Sequence, residues 1–256
     1  MWGIVYLLLE RIKNMVNRLG YGTPHRDKME NGERWTGQYL DVYCYPYISK
    51  QFKRNNDGYT NERGIDVYLT GGTKAITLDE KCTCLYVGEG LDKSRYKNGL
   101  QCISFETSTL IIDEYTNKKI PVSGWLLADT INTHYSMIWI DSADTRDGQV
   151  LKGSGLTDCT VAIISKDRLW EYLNSIGWTK EKIRIKDRQV REAFDRWGEN
   201  YNKHVECGTL WRDGIRFYIQ LKAEEHGINI QLSRKKCIEI SDCSVRITRD
   251  KLVRLK

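Results

Sequence analysis

The sequence predicts an α/β protein in which a mixed sheet is flanked by helices. Apolar and polar residues alternate with a period of two in segments such as GIDVYL and ITLDEK, which is typical of half-buried strands. Ser165 and Thr179 each precede a stretch with helical spacing, and Gly177 and Gly198 follow those stretches as helix-ending residues. A chain of 256 residues with 40% hydrophobic and 29% charged residues can bury a sizeable core.

The first 30 residues are expected to form a helix and its lead-in. The apolar run at residues 2–9 is too short to cross a bilayer, and helical spacing continues after it, which favours an amphipathic helix on the core over a membrane-surface helix. The run lacks the basic start and the cleavage site of a signal peptide. We therefore expect a cytoplasmic protein with no membrane partner, whose eight cysteines are reduced.

Residues 31–165 are predicted to form the α/β core. Gln38–Gln51 and GIDVYL are predicted strands, and Gly71 and Gly72 are expected to supply the positive φ of a hairpin turn into KAITLDEKC. LQCISFETSTLIIDEY, PVSGWLLAD, HYSMIWID and VAIIS follow as strands.

Residues 166–256 are predicted to form an extension, either within the same domain or beside it. Two helices begin after Ser165 and Thr179, and the segments RFYIQLKAE, INIQLS, CIEI and VRIT are predicted as late strands.

The first predicted hairpin carries an unusual set of charges. Asp66 lies on its first strand, and Asp79, Glu80 and Lys81 lie on its second. The period of two places Asp79 and Lys81 on one face and Glu80 on the other, and the turn brings Asp66 close to Asp79. Two neighbouring carboxylates repel each other, and a divalent ion that prefers oxygen ligands relieves that repulsion. The sequence therefore predicts a Mg²⁺ or Mn²⁺ site beside a lysine.

These residues resemble the signature of the PD-(D/E)XK nuclease superfamily, which has the restriction-endonuclease-like fold. Asp66 matches its first acid, and Asp79 and Lys81 match its second acid and its lysine; Ile65 stands where the family often has proline. The resemblance implies that Asp66 and Asp79 bind metal and that Lys81 assists hydrolysis of a phosphodiester bond, most plausibly in DNA. All three are then catalytic residues.

Further residues are candidates for the same site. Glu80 and Glu106 are possible additional metal ligands, and Gln101 is a possible substrate contact. The family also often has a glutamate on a helix before the first strand, for which Glu62 and Glu10 are the candidates. The basic segment GEGLDKSRYKNG offers Lys93, Arg95 and Lys97 to a phosphate backbone.

Other interpretations stay open at this stage. In one, Lys81 pairs with an acid on an exposed sheet face and the cluster has no chemistry. In another, the chain is a non-catalytic nucleic-acid or protein-binding module, and its net charge of +6 is compatible with a polyanionic partner. His134 is a weaker candidate base. The absence of GxxxxGK[ST] and GxGxxG motifs leaves nucleotide hydrolysis unsupported, and the oligomeric state is open.

Overall fold

The mixed α/β fold class is confirmed. The structure, a computed structural model, describes residues 24–57, 60, 63–72, 74–83, 100–113, 115–143, 156–221 and 225–256. The helices are α1 (Pro24–Tyr43), α2 (Tyr45–Ile48), α3 (Lys166–Ser175), α4 (Lys180–Trp197), α5 (Leu210–Asp213) and α6 (Arg234–Ile240), with a 3₁₀ helix at Gly198–Lys203. The strands are β1 (Phe52–Arg54), β2 (Val67–Leu69), β3 (Ile76–Cys82), β4 (Cys102–Asp113), β5 (Lys118–Ser123), β6 (His134–Ala143), β7 (Leu156–Ser165), β8 (Arg216–Ile219), β9 (Ile228–Ser233), β10 (Cys243–Thr248) and β11 (Leu252–Arg254).

The larger sheet has seven strands in the order β1-β2-β3-β6-β7-β10-β11. β3 and β6 are parallel, and the other neighbours in this sheet are antiparallel. The parallel pair aligns Asp79 with Tyr135 and Lys81 with Met137. Because β2 and β3 form the predicted hairpin, Asp66 at the start of β2 lies near the middle of β3.

The smaller sheet has four antiparallel strands in the order β5-β4-β9-β8. It combines β4 and β5 from the region before residue 165 with β8 and β9 from the region after it. β10 in turn pairs with β7 in the larger sheet. A domain boundary at residue 165 would therefore divide the strands of each sheet between two domains.

The larger sheet is covered on both faces. One face carries Leu78, Ile138 and Val161, which pack with Leu40 and Tyr45 of the N-terminal helices. The opposite face carries Tyr135, Met137 and Trp139 among others, and it packs with the smaller sheet and with α3, α4 and α6. Two apolar clusters are therefore enclosed, one on each face of the larger sheet.

The predicted helix starts at Ser165 and Thr179 are confirmed. The hydroxyl of Ser165 accepts a hydrogen bond from the backbone N–H of Arg168, and that of Thr179 accepts one from Lys182. These bonds satisfy backbone donors that the first turn of a helix leaves without an intrahelical partner. Gly198, with φ +56°, follows the last residue of α4 as expected.

Two predicted strands are wrong, because residues 38–51 belong mostly to α1 and α2, and CIEI lies in α6. A third, PVSGWLLAD, is only partly right, because β5 ends at Ser123 and residues 124–129 form no strand. In α1, Tyr39 and Tyr43 are one turn apart and their rings pack with centroids 4.8 Å apart. The aromatic content of this segment resembles that of a strand, but its buried positions follow helical spacing. In α6, the hydroxyl of Ser233 caps a short helix whose Cys237 is fully buried.

The hairpin turn differs from its prediction in one detail. Gly71 and Gly72 do not have the expected positive φ. Gly71 is needed for a different reason, because a Cβ at this position would lie 2.7 Å from the Cβ of Lys50. The chain thus passes too close to the end of α2 for a side chain at Gly71.

The predicted N-terminal helix lies partly outside the described residues, since only residues 24–30 of its range fall within α1. None of the helices in the described ranges is long and apolar enough to cross a membrane. Seven of the eight cysteines lie in the described ranges, and all seven are free thiols.

Candidate active site

The candidate site lies where β3 extends beyond the end of β2. β2 pairs with β3 only as far as Leu78, and β3 continues to Cys82. Past that point, the backbone N–H of Glu80 donates to Oδ2 of Asp66, with the two atoms 2.6 Å apart. A side chain thus replaces the neighbouring strand as the acceptor, and the carboxylate of Asp66 is held at the edge of β3.

Asp66, Asp79 and Lys81 come together as the sequence predicts. The register of the hairpin places Asp66 opposite Asp79, and the two carboxyl groups are close enough to affect each other's pKa. Nζ of Lys81 lies 2.6 Å from Oδ1 of Asp79. The side chain of Asp79 is only 4% exposed and that of Lys81 is 28% exposed. The pair is therefore not the exposed surface contact that the non-functional interpretation supposes.

The electrostatics of the cluster follow from burial and from the proximity of like charges. Burial and the charge of Asp79 raise the pKa of Asp66 to about 6. Burial also raises the pKa of Asp79, although Lys81 opposes this effect. For Lys81, burial lowers the pKa, but Asp79 and Asp66 outweigh it and raise the value above its ordinary range. Perturbed carboxyl pKa values of this kind are common at functional sites.

The raised pKa of Asp66 predicts a stability change in metal-free buffer. Because the carboxyl group of Asp66 has a higher pKa in the folded state, its ionisation lowers the free energy of unfolding. This loss of stability grows as pH rises from about 4 to about 6 and persists above pH 6. Asp66→Asn removes the charge and retains an acceptor for the Glu80 N–H. We expect this variant to be more stable than the wild type above pH 6, by up to about 3 kcal/mol, and equally stable below pH 4.

Urea unfolding in the presence of EDTA across this pH range measures the difference. Asp113→Asn is the control with the opposite sign, because hydrogen bonds from Thr116 lower the pKa of the exposed Asp113. Its replacement should reduce stability at neutral pH or leave it unchanged. A loss of stability in Asp66→Asn at pH 7 would contradict the assignment of a raised pKa to Asp66.

Glu80 faces away from Asp79 and Lys81, towards α1 and α2. Its carboxylate accepts a short hydrogen bond from the hydroxyl of Tyr45 and lies 2.7 Å from Nη1 of Arg54. Arg54 also makes two hydrogen bonds of 2.7 and 2.8 Å to Asp41 on α1. Gly37 permits this arrangement, since a Cβ there would lie 3.0 Å from Cζ of Arg54. Glu80, a predicted metal ligand, thus has two protein partners on the other side of the strand.

Glu33 is an acidic residue at the site that the sequence analysis did not identify. It lies on α1, and its charge contributes to the raised pKa of Lys81. A cavity of about 320 Å³ separates this helix from the sheet and is lined by Glu33, Arg34, Asp66 and Glu80 among others. The helix before the first strand therefore does place a glutamate near Asp66, whereas the named candidates Glu10 and Glu62 lie outside the described residues.

Aromatic side chains cover the cluster on the other face. The ammonium of Lys81 lies 5.0 Å from the ring centroid of Trp125, a cation–π distance. Trp125 packs against Phe105 of the smaller sheet and Tyr135 of the larger sheet, with centroids 5.2 and 5.0 Å away. Trp125 thus fixes the position of Lys81 between the two sheets, and no pattern in its own segment indicates that role.

Two other predicted site residues lie elsewhere. Glu106 follows Phe105 on β4, and its side chain packs beside Gly124 and Gly227, with its charge acting on Arg191. Gln101 precedes β4, and its carbonyl accepts a hydrogen bond from the N–H of Arg234. The backbone carbonyl of the next residue, Cys102, accepts a hydrogen bond from the indole N–H of Trp139. Trp139 is four residues, or about 13 Å, along β6 from Tyr135, the residue aligned with Asp79.

The remaining predictions concern the basic segment and His134. Lys93, Arg95 and Lys97 lie outside the described residues. The ring of His134 contacts the hydroxyl of Thr133 at 2.8 Å and lies 3.9 Å from Asp242. Burial lowers its pKa. These partners place the ring beside the end of β7, and they do not include Asp66 or Asp79.

The donor set of the cluster suits a hard divalent ion. Among the described residues there is no group of three or more His, Cys, Asp or Glu side chains arranged to hold a metal. Mg²⁺, however, typically uses one or two carboxylates and keeps several waters. The buried Oδ1 of Asn132 has no hydrogen-bond partner in the described part of the chain. A Cβ on Gly64 would lie 3.2 Å from Oδ1 of Asn132 and 3.4 Å from Oδ2 of Asp79. The Asn132 oxygen, which can accept a hydrogen bond from water, therefore lies near the acids of the cluster.

Comparison of the chain with protein-family models, with curated proteins and with solved structures found no match in any of the three.

Proposed function

We propose that the protein is a metal-dependent nuclease that hydrolyses phosphodiester bonds in nucleic acid, most plausibly DNA. The observation that carries the proposal is the position of Asp66 beside the buried Asp79 and the ammonium of Lys81. Paired acids without a cation would repel a phosphate, whereas paired acids with a divalent ion attract one. The resemblance of these three residues to the PD-(D/E)XK signature supports the same chemistry.

Each residue has a distinct role in the proposed reaction. Asp66 and Asp79 would hold Mg²⁺ or Mn²⁺, and the ion would supply charge for the phosphate and acidify a bound water. The N–H of Glu80 fixes the orientation of the Asp66 carboxylate. Lys81 remains protonated beside Asp79, and its ammonium can stabilise the charge that develops on the phosphate oxygens. Trp125 shields this ammonium from water on one side.

Calorimetry with Mn²⁺ tests the metal site without relying on activity. We expect the wild type to bind Mn²⁺ and Asp66→Asn to bind at least about tenfold more weakly, which is about 1.4 kcal/mol. The reason is that asparagine retains the shape of the ligand but loses its charge. Asp113→Asn, an exposed carboxylate on β4, is the matched control and should bind like the wild type.

Cleavage of labelled DNA with Mg²⁺, and its loss in EDTA, is the accompanying functional measurement. Equal Mn²⁺ affinity in the wild type and in Asp66→Asn would contradict the proposed site. The alternative function, a nucleic-acid or protein-binding module without catalysis, predicts salt-dependent binding with neither Mn²⁺ binding nor cleavage. The close contact of Lys81 with Asp79 is the feature that favours this alternative, because it already neutralises one acid.

A further inference from the structure

Lys166 places a second ammonium group near the candidate site. It is the first residue of α3, directly after β7. Its Nζ donates to the carbonyl and hydroxyl oxygens of Thr130 over 2.8 and 2.7 Å. The same ammonium lies 5.8 Å from the ring centroid of Tyr135, the residue aligned with Asp79 across the parallel pair. Lys166 therefore lies on the Asp79 side of the sheet, and both of its acceptors are uncharged.

Lys180 continues the same row of positive charge. It is the first residue of α4, it is exposed, and its Nζ lies 5.0 Å from the ring centroid of Trp170 on α3. Burial lowers the pKa of Lys166; Asp79 and Asp129 oppose this effect, and Lys180 adds to it. Trp170, which lies under the Lys180 ammonium, is one helical turn after Lys166 on α3, so the two lysines lie along the same side of this helix. We call Lys81, Lys166 and Lys180 the lysine row.

Lys166 and Lys180 carry like charges that repel each other, although Asp79 and Asp129 offset this repulsion at Lys166. A polyanion with regularly spaced charges removes that repulsion, and release of its counterions adds to the binding free energy. The exposed end of the row also has an aromatic ring, Trp170, under the ammonium of Lys180. A strand of nucleic acid is the polyanion that the proposed reaction brings to Asp79.

We propose that Lys166 and Lys180 bind the sugar–phosphate backbone of the substrate strand on the α3 side of the bond that is cleaved. This inference rests on the proposed nuclease function and extends it to the path of the substrate. The strand would pass from Lys81 over the end of β7 and the first turn of α3 to the start of α4. The contacts are to phosphate, so they position the strand and do not read its sequence.

Fluorescence anisotropy of a short labelled single-stranded DNA tests the row. The parent is an Asp66→Asn and Asp79→Asn double variant in EDTA, in which the proposed site cannot cleave the probe. Lys166→Gln and Lys180→Gln are each expected to weaken binding about fivefold at low salt. Each should also reduce the slope of log K against log salt by about 0.7 between about 50 and 200 mM, the value for one phosphate contact on a single strand.

Lys182→Gln is the matched control, because this exposed lysine lies on the same helix but points about 200° away from Lys180. Its Nζ lies over Trp178, 4.6 Å from the ring centroid. It should leave both the affinity and the salt slope unchanged. Thermal melting checks that each variant folds, and Lys180→Gln, at an exposed position, keeps the test valid if Lys166→Gln is unstable.

The outcomes separate this inference from the proposed function. Parent-like affinity and slope in both lysine variants would overturn the lysine row, while Mg²⁺-dependent cleavage by the wild type would leave the nuclease proposal intact. No DNA binding by the parent would also overturn the row. Weakened binding in both variants, in a protein that neither binds Mn²⁺ nor cleaves DNA, would support the row and reject the nuclease function.

Discussion

Asp79→Asn is expected to lower the rate of Mg²⁺-dependent DNA cleavage by about 10³-fold, or about 4 kcal/mol of transition-state stabilisation. Asp79 is 2% exposed, lies opposite Asp66 in the hairpin and pairs with Lys81, so its charge lies at the centre of the cluster. Asparagine has nearly the same shape and should leave the fold intact. Single-turnover cleavage of a labelled duplex measures the effect, with circular dichroism as the check on folding.

Lys81→Met should reduce cleavage to a similar extent but affect the metal differently. Methionine can fill the space beside Trp125, while removal of the ammonium frees the carboxylate of Asp79. We therefore expect Mn²⁺ to bind Lys81→Met at least as tightly as it binds the wild type. Lys119→Met, an exposed lysine on β5, is the matched control with unchanged cleavage. Cleavage rates within tenfold of the wild type in both Asp79→Asn and Lys81→Met would contradict the proposed mechanism.

The part of the site that lies on β3 could be predicted from the sequence because it depends on local geometry alone. Alternation with a period of two places Asp79 and Lys81 on one face and Glu80 on the other. The hairpin fixes which residue of β2 lies opposite, and its register pairs Val67 with Leu78. Asp66 must then lie beside the next residues of β3. Neither step needs information about distant parts of the chain.

The partners of these residues could not be predicted, because they come from distant segments. Glu80 binds Tyr45 and Arg54, which are 35 and 26 positions away in the sequence. Trp125 reaches Lys81 from the segment after β5, where no periodic pattern marks it. Such contacts depend on how the layers pack, which no local pattern in the sequence specifies.

Glu33 could not be placed near the site without α1, the helix that carries it. The aromatic-rich composition of residues 38–51 favours a strand, and with a strand there no helix directly precedes β1. In the structure, α1 extends from Pro24 to Tyr43 and carries Glu33 towards Lys81. The helical signal was present in the spacing of Thr36, Tyr39 and Leu40, all of which are buried. The same spacing, extended by one turn towards the N-terminus, puts Glu33 on the same face of the helix as Thr36 and Leu40.

Glu80→Ala is expected to reduce the free energy of unfolding by about 1–3 kcal/mol, because it leaves the buried hydroxyl of Tyr45 without its acceptor. The side chain of Glu80 is 12% exposed and that of Arg54 is 27% exposed. Without Glu80, Arg54 keeps its bonds to Asp41, but the buried hydroxyl of Tyr45 loses its acceptor. Urea unfolding at pH 7 measures the loss. Glu239→Ala breaks an exposed pair with Lys236 and should change stability little.

Glu80→Gln separates the structural role of this residue from the predicted role as a metal ligand. Glutamine retains the shape and an acceptor for Tyr45, so the protein should fold, with a smaller loss of stability than in Glu80→Ala. If Glu80 acts only through Arg54 and Tyr45, Mn²⁺ affinity should equal that of the wild type in calorimetry at a temperature where both are folded. A tenfold loss of affinity would show instead that Glu80 contributes to the metal site. The side chain would then have to exchange Arg54 for the ion, and the proposed site would have three acids.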